Sequence, residues 1–262
     1  MIRFVYLLLF VGSIFSCTPN KTKVKIVEKP QFNARIGSIT DFRTIHFPSK
    51  DGLEITADLY LVNEPKDFIL LCHQAGFSRG EYIETAKKLN KMGFSCMAID
   101  QRSGKEANHV VNETAKLAKE KGLKATYLDA KQDIEAAIDY AYQLNDSKAI
   151  ILVGSSYSAS LVLLLATTNN NVKAVAAFSP GEYLKGVQVA QSISKLNKPL
   201  FVTSAKKESN GVAKLVAQIK TPIKVHFIPK VEGIHGSRAL WKSTKGNQMY
   251  WEAFTNWLNQ IK

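Results

Sequence analysis

The chain has 262 residues, 45% of them hydrophobic, which is ample for one sizeable core. Its 15 glycines and 8 prolines exclude collagen-like and low-complexity chains. The formal charge of +13 raises nucleic acid or an anionic surface as partners, but no Lys/Arg run is interleaved with aromatics. The excess reads as a solvated basic surface, and nucleic acid is not expected as a partner.

The N-terminus sets the address. Arg3 precedes the apolar run Phe4 to Val11, and Gly12-Ser13-Ile14-Phe15-Ser16-Cys17 follows. A charged start, a short apolar core and small residues at the boundary make a secretory signal, too short for a transmembrane helix. Ile14-Phe15-Ser16-Cys17 also resembles a bacterial lipobox. That resemblance implies a signal peptide over 1–16, a lipidated Cys17 at the mature N-terminus and a tether over 17–38. The expected location is the periplasm-facing cell envelope, with the membrane reached through the lipid. The remaining Cys72 and Cys96 sit in apolar runs and read as buried thiols, with a bridge between them left open.

From residue 39 onward the text predicts one domain. Phe42–Phe47 and Leu53–Val62 form an antiparallel hairpin around Lys50-Asp51-Gly52. Phe68–Cys72 is a strand buried on both faces, Glu81–Met92 a helix stopped by Gly93, and Phe94–Ile99 a strand. The polar stretch 101–126 carries one helix, Asn112–Lys121, and Asp129–Leu144 is another, with Ile134, Ala137, Ile138 and Ala141 on one face. Strand Ala149–Val153, helix Tyr157–Thr167 and strand Val172–Phe178 follow. Then come strand Leu200–Thr203, a helix near Val212–Ile219 and strand Val225–Ile228. A last helix puts Trp251, Phe254, Leu258 and Ile261 on one stripe. A leading hairpin and then β-α-β repetition predict an α/β fold, a mostly parallel sheet with helices on both faces. Only 101–126 and 182–198 could build a cap, which is therefore small or absent.

Gly154-Ser155-Ser156-Tyr157-Ser158 stands where a strand ends and a very apolar helix begins. That is the context of a nucleophile elbow, whose tight turn needs small residues around an exposed hydroxyl. A serine nucleophile needs a base, and the base needs an orienting acid. Of the five histidines only His226 and His235 follow Ser156. His226 lies inside a strand, whereas His235 sits in the Gly-flanked loop Gly233-Ile234-His235-Gly236, so His235 is the base. No Asp occurs after Asp146, so a carboxylate from this half is a Glu. Glu208, in the loop after Leu200–Thr203, is the preferred acid, with Glu182 and Glu232 as rivals. The oxyanion needs backbone donors: the Tyr157 amide at the helix N-terminus, and Ala75 or Gln74 in the loop after Cys72. His73 reads as a support of that loop rather than as a base.

Residues 42 to 262 resemble the α/β-hydrolase family, especially its dienelactone-hydrolase-like and small-esterase branch. The resemblance rests on His73-Gln74-Ala75-Gly76, Asp100-Gln101-Arg102-Ser103-Gly104, the 154–158 elbow, Glu208 and Gly233-Ile234-His235-Gly236. It implies an eight-stranded sheet and a Ser156–Glu208–His235 triad that works without metal or cofactor. The chain departs from the family pattern at Gln74 and Ser158, where Gly is commoner, and at Glu208, where Asp is commoner. The expected activity is hydrolysis of a small-molecule carboxylic ester. The alternatives are a small serine peptidase of the same fold and a lipid-anchored binding protein on a hydrolase scaffold.

Overall fold

The computed structural model describes residues 42–261; the signal segment, Cys17 and the tether lie outside the described residues. β1 (Arg43–Pro48) and β2 (Glu54–Tyr60) form the antiparallel hairpin, with Phe47 opposite Ile55. β3 (Asp67–Cys72) leads through a 3₁₀ turn at Arg79–Tyr82 into α1 (Ile83–Lys91) and β4 (Phe94–Ile99). β5 (Glu106–Ala107) and β6 (Val110–Val111) make a small ribbon, and α2 (Glu113–Glu120) follows. Asn112 caps α2 by accepting the Ala115 amide at 2.7 Å.

α3 (Lys131–Leu144), β7 (Ile150–Ser155), α4 (Tyr157–Thr168) and β8 (Val172–Phe178) repeat the strand–helix unit. A four-residue helix, α5 (Val189–Ser192), interrupts the connection to β9 (Leu200–Thr203). A 3₁₀ turn at Lys206–Glu208 runs directly into α6 (Ser209–Leu215), and β10 (Lys224–Phe227) comes next. The last elements are a 3₁₀ turn at Ser237–Leu240 and α7 (Asn247–Gln260).

The eight long strands form one sheet in the order β1-β2-β4-β3-β7-β8-β9-β10. β2 runs antiparallel to both neighbours and every other pair is parallel. Helices cover both faces. Residues of α3, α4, α5 and α6 pack with Leu70, Cys72 and Leu152 on one side, while α1 and α7 pack with Ile69, Leu71 and Val153 on the other. Burial on both faces explains why the central strands read as continuous apolar runs. It also explains α4, whose residues are almost all buried and which therefore shows no polar stripe. No helix among the described residues is long and apolar enough to cross a membrane.

Several elements differ from the sequence reading, among them α5, which the sequence did not mark, and α1, which starts only at Ile83 because a 3₁₀ turn takes up Glu81. The helix expected near Val212–Ile219 begins at Ser209, because it grows straight out of the turn carrying Glu208; Val216 and Ile219 stay buried beyond its end. β10 lies one residue earlier than expected and leaves Ile228 exposed. The β5–β6 ribbon has two residues per strand, too few to leave an alternation in the sequence.

Under the strand ends, the loop after β4 is locked by charge. Arg102 donates to both oxygens of Asp133 and to Asp51, and Ser49 adds its hydroxyl to Asp133 at 2.7 Å. Arg79 pairs in the same way with Asp58 and Asp100. Buried ions of this kind persist only where every charge is paired.

Candidate active site

β7 ends at Ser155 and α4 begins at Tyr157, so Ser156 alone carries the reversal of the chain. It does so at φ 59° and ψ −122°, a conformation costly for any residue but glycine. The turn closes only because Gly154 lacks a side chain: a Cβ there would stand 2.6 Å from the Ser158 carbonyl. Ser158, where the family pattern has a glycine, is used. Its hydroxyl lies 2.8 Å from the Cys72 carbonyl and 2.6 Å from that of His73, tying the elbow to the end of β3.

The structure brings Ser156, His235 and Glu208 into one row. His235 Nε2 is 2.8 Å from Ser156 Oγ, and His235 Nδ1 is 2.8 Å from Glu208 Oε1. With Nδ1–H donating to the carboxylate, Nε2 is left to accept the serine proton. Glu208 Oε2 accepts from Ser179 Oγ at 2.7 Å, so both carboxylate oxygens are engaged. Burial alone would raise the Glu208 carboxyl, but the bonds from His235 and Ser179 outweigh it and hold the group below its ordinary value. Gly236 follows His235 with φ +76°, and a Cβ there would meet Gln74 Oε1 and Ser155 Oγ at 2.6 Å. The histidine loop is thus wedged against the elbow and against the loop after β3.

Neither rival carboxylate bonds His235, whose Nδ1 is taken by Glu208. Glu182 accepts the Val189 and Ala190 amides at 2.6 and 2.9 Å and so caps α5. Glu232 accepts the Lys206 amide through its backbone carbonyl at 2.8 Å and lines a cavity beside the Glu208 turn. Of the two candidate amides after β3, that of Gln74 is spent on Glu81 Oε2 at 2.7 Å. The Ala75 and Tyr157 amides have no hydrogen-bond partner among the described residues.

His73 is fully buried. Its Nε2 accepts the Gln101 amide at 3.0 Å, and Nδ1–H donates to the Gln74 carbonyl at 2.8 Å. Burial pushes its pKa down to about 4, so the ring is a neutral brace for the loop. His226, half-buried in β10, has no hydrogen-bond partner for Nε2 among the described residues. Cys72 and Cys96 are free thiols, and burial raises both.

A cavity of about 450 Å³ opens beside the acid, lined by Pro180, Gly181, Tyr183, Glu208, Val212 and Leu215 among others. The Tyr183 ring stands edge-on to His235, with centroids 6.5 Å apart. A smaller cavity of about 310 Å³ is lined in part by Glu208, Glu232, His235 and Arg238. The imidazole is reachable through the smaller cavity.

Sequence reasoning missed Glu81 and Ser179. Glu81 reads as an ordinary first-turn helix acid, and Ser179 as the end of a strand before Pro180-Gly181. No periodicity could have marked either.

The family model described as serine aminopeptidase, S33, matches residues 63–226, a span that includes Ser156 and Glu208 and ends before His235. No curated protein matches the sequence. Among solved structures, the chain is similar to the Pyrococcus furiosus esterase Pf2001. That match has a TM-score of 0.67 and 14% identity, covering 85% of this chain and 91% of the other. It is also similar to a dienelactone hydrolase from Anabaena variabilis (TM-score 0.65, 14% identity, covering 84% and 97%). A third is the esterase domain of a Rhodothermus marinus protein (TM-score 0.60, 16% identity, covering 85% and 100%). At these identities the structural likeness speaks for the fold, and the family match for the class of chemistry. The chain is a serine hydrolase of the α/β-hydrolase fold and belongs to the serine aminopeptidase S33 family.

Proposed function

We propose that the chain hydrolyses a carboxylic ester through a covalent acyl-enzyme on Ser156, with His235 as base and Glu208 as orienting acid. The observation that carries this reading is the unbroken row Ser156 Oγ, His235 Nε2, His235 Nδ1, Glu208 Oε1, with both links at 2.8 Å. His235 takes the serine proton as Oγ attacks the ester carbonyl, and the imidazolium so formed is stabilised by Glu208. The carbonyl oxygen, now an oxyanion, is held by the unpartnered amides of Ala75 and Tyr157, with the α4 dipole adding to the second. His235 then gives its proton to the departing alcohol. A water activated by the same ring cleaves the acyl–Ser156 bond, and the acid leaves.

The family description favours a second reading, an aminopeptidase. Such an enzyme needs a carboxylate free to take the substrate ammonium, and Glu182, on the wall of the larger cavity, is already spent on two amides. Glu232, on the wall of the smaller cavity, keeps its carboxylate without a hydrogen bond among the described residues, so the ester reading is preferred instead on the esterases and the dienelactone hydrolase among the structural neighbours. A panel of p-nitrophenyl esters set against aminoacyl p-nitroanilides decides between them. Turnover of the esters with inert anilides supports the esterase. Efficient anilide cleavage with poor ester turnover replaces it by the peptidase, and no turnover of either class favours a binding protein.

The expected address completes the proposal. Cys17 carries the lipid, and the domain works at the bacterial cell envelope on a small-molecule ester that reaches it from the periplasm.

A further inference from the structure

Glu81 has no exposed surface and stands behind the nucleophile rather than beside it. Its carboxylate is the meeting point of three loops. Oε2 accepts the Gln74 amide at 2.7 Å from the loop after β3. Oε1 accepts the Ser155 hydroxyl at 2.8 Å from the elbow, and the Ser237 hydroxyl at 2.5 Å from the loop bearing His235. Ser155 Oγ in turn accepts the Ser237 amide at 2.8 Å, so elbow and histidine loop are also tied to each other. The Glu81 carbonyl accepts Trp241 Nε1 at 2.8 Å, which anchors the far end of the same loop.

We propose that Glu81 is a positioning residue of the reaction: its carboxylate turns the Gln74 amide into the protein, leaves Ala75 as the oxyanion donor, and fixes Ser156 and His235 relative to that donor. This rests on the reading of Ser156 as nucleophile. The chemistry of the side chain makes the case. An ionised carboxylate is purely an acceptor, so one group accepts a hydrogen bond from all three loops at once. Burial pushes its carboxyl up, a cost that neutral residues bonding the same serines would avoid. What a neutral amide cannot do is accept on both sides. In a glutamine, the –NH₂ faces either the Gln74 amide, donor against donor, or the two serine hydroxyls, which must then turn their protons elsewhere. Either way one loop is released. The attacking oxygen, the base and the oxyanion donor are thereby uncoupled, and shifts on the order of 1 Å in such groups carry large rate penalties.

Wild type, Glu81→Gln and Ser237→Ala are titrated with a fluorophosphonate, and kcat for p-nitrophenyl butyrate is expressed per labelled site. Inhibition by an alkyl trifluoromethyl ketone, which forms a tetrahedral adduct on serine, is measured alongside. For Glu81→Gln the expected result is a fall of at least about tenfold in kcat per site. That is a fraction of the roughly 10²–10³-fold loss on deleting an oxyanion donor. KM changes less than about threefold, and the ketone weakens in step with kcat. Ser237→Ala, which removes one of the three bonds, gives a smaller loss of the same kind, about threefold. A purely structural role would lower the number of labelled sites and the melting temperature while leaving kcat per site within about twofold of wild type. That result in the variants that fold overturns the inference and leaves Ser156 in place. A wild type that takes no label at Ser156 overturns the reading of the site and this inference together.

Discussion

Ser179 Oγ donates to Glu208 Oε2 at 2.7 Å while accepting the Gly236 amide at 2.9 Å. One hydroxyl just past β8 therefore holds both the Glu208 carboxylate and the residue that follows His235. Glu208 has no idle oxygen, and a glutamine in its place must present –NH₂ to a donor on one side. Glu208→Gln is expected to lower kcat by on the order of 10⁴, with a much smaller change in KM. Glu182→Gln, which touches only the α5 amides, is expected to change the rate by less than about tenfold, or roughly 1.4 kcal/mol. Steady-state kinetics on a p-nitrophenyl ester check both. The reverse ranking would move the acid to the strand before.

Ser156→Ala is expected to lose fluorophosphonate labelling altogether and at least about 10³-fold of ester turnover. The hydroxyl makes one bond, to a partly exposed histidine, so stability should move by less than about 1 kcal/mol, a melting shift within roughly 2–4 °C. Peptide mapping of the labelled wild type checks the alignment. A label on Ser155 or Ser158 would contradict it, as would unchanged labelling of the variant.

His73 is the pH-sensitive brace. Its pKa is about 4 in the folded protein against 6.5 for the free side chain, so between those values the unfolded chain binds the extra proton. Its contribution to stability is present above about pH 6.5 and is lost as pH falls towards 4, by about 3 kcal/mol in all. Asp100, whose burial raises its carboxyl to about 6, works in the opposite sense. The histidine is therefore read as a difference: wild type should lose about 3 kcal/mol relative to His73→Gln over that range. Urea unfolding at several pH values measures it, and parallel curves for the two proteins would refute it.

Metabolic labelling with a palmitate analogue is expected to mark the wild type and not Cys17→Ala. Two or more acyl chains would hold the protein on a membrane, whereas one is marginal. Absence of label from both proteins would remove the anchor.

The row Ser156–His235–Glu208 was legible because each member is fixed by a local rule. Gly154 and Ser158 mark the elbow, Gly233 and Gly236 mark the histidine loop, and the lack of any Asp after Asp146 leaves only glutamates for the acid. Which of the two amides after β3 stays unpartnered was not legible. Gln74 and Ala75 differ only in which one Glu81 captures, a contact that no spacing encodes. Nor could sequence locate Glu81 itself, whose partners Ser155 and Ser237 lie 74 and 156 positions away. The same holds for α6, where the apolar residues Val212 to Ile219 are buried as expected although only the first of them are helical. Hydrophobic periodicity reports which residues face the core, not where the backbone stops coiling.

Cys72 and Cys96 belong to neighbouring strands but to opposite faces of the sheet, and the register sets Cys72 beside Ile99 and Cys96 beside Ile69. The sheet itself stands between the two sulfurs, and both are sealed from solvent. Among the described residues no disulfide is present, so the packing of the sheet owes nothing to a covalent cross-link. Oxidants reach neither sulfur while the sheet stays packed.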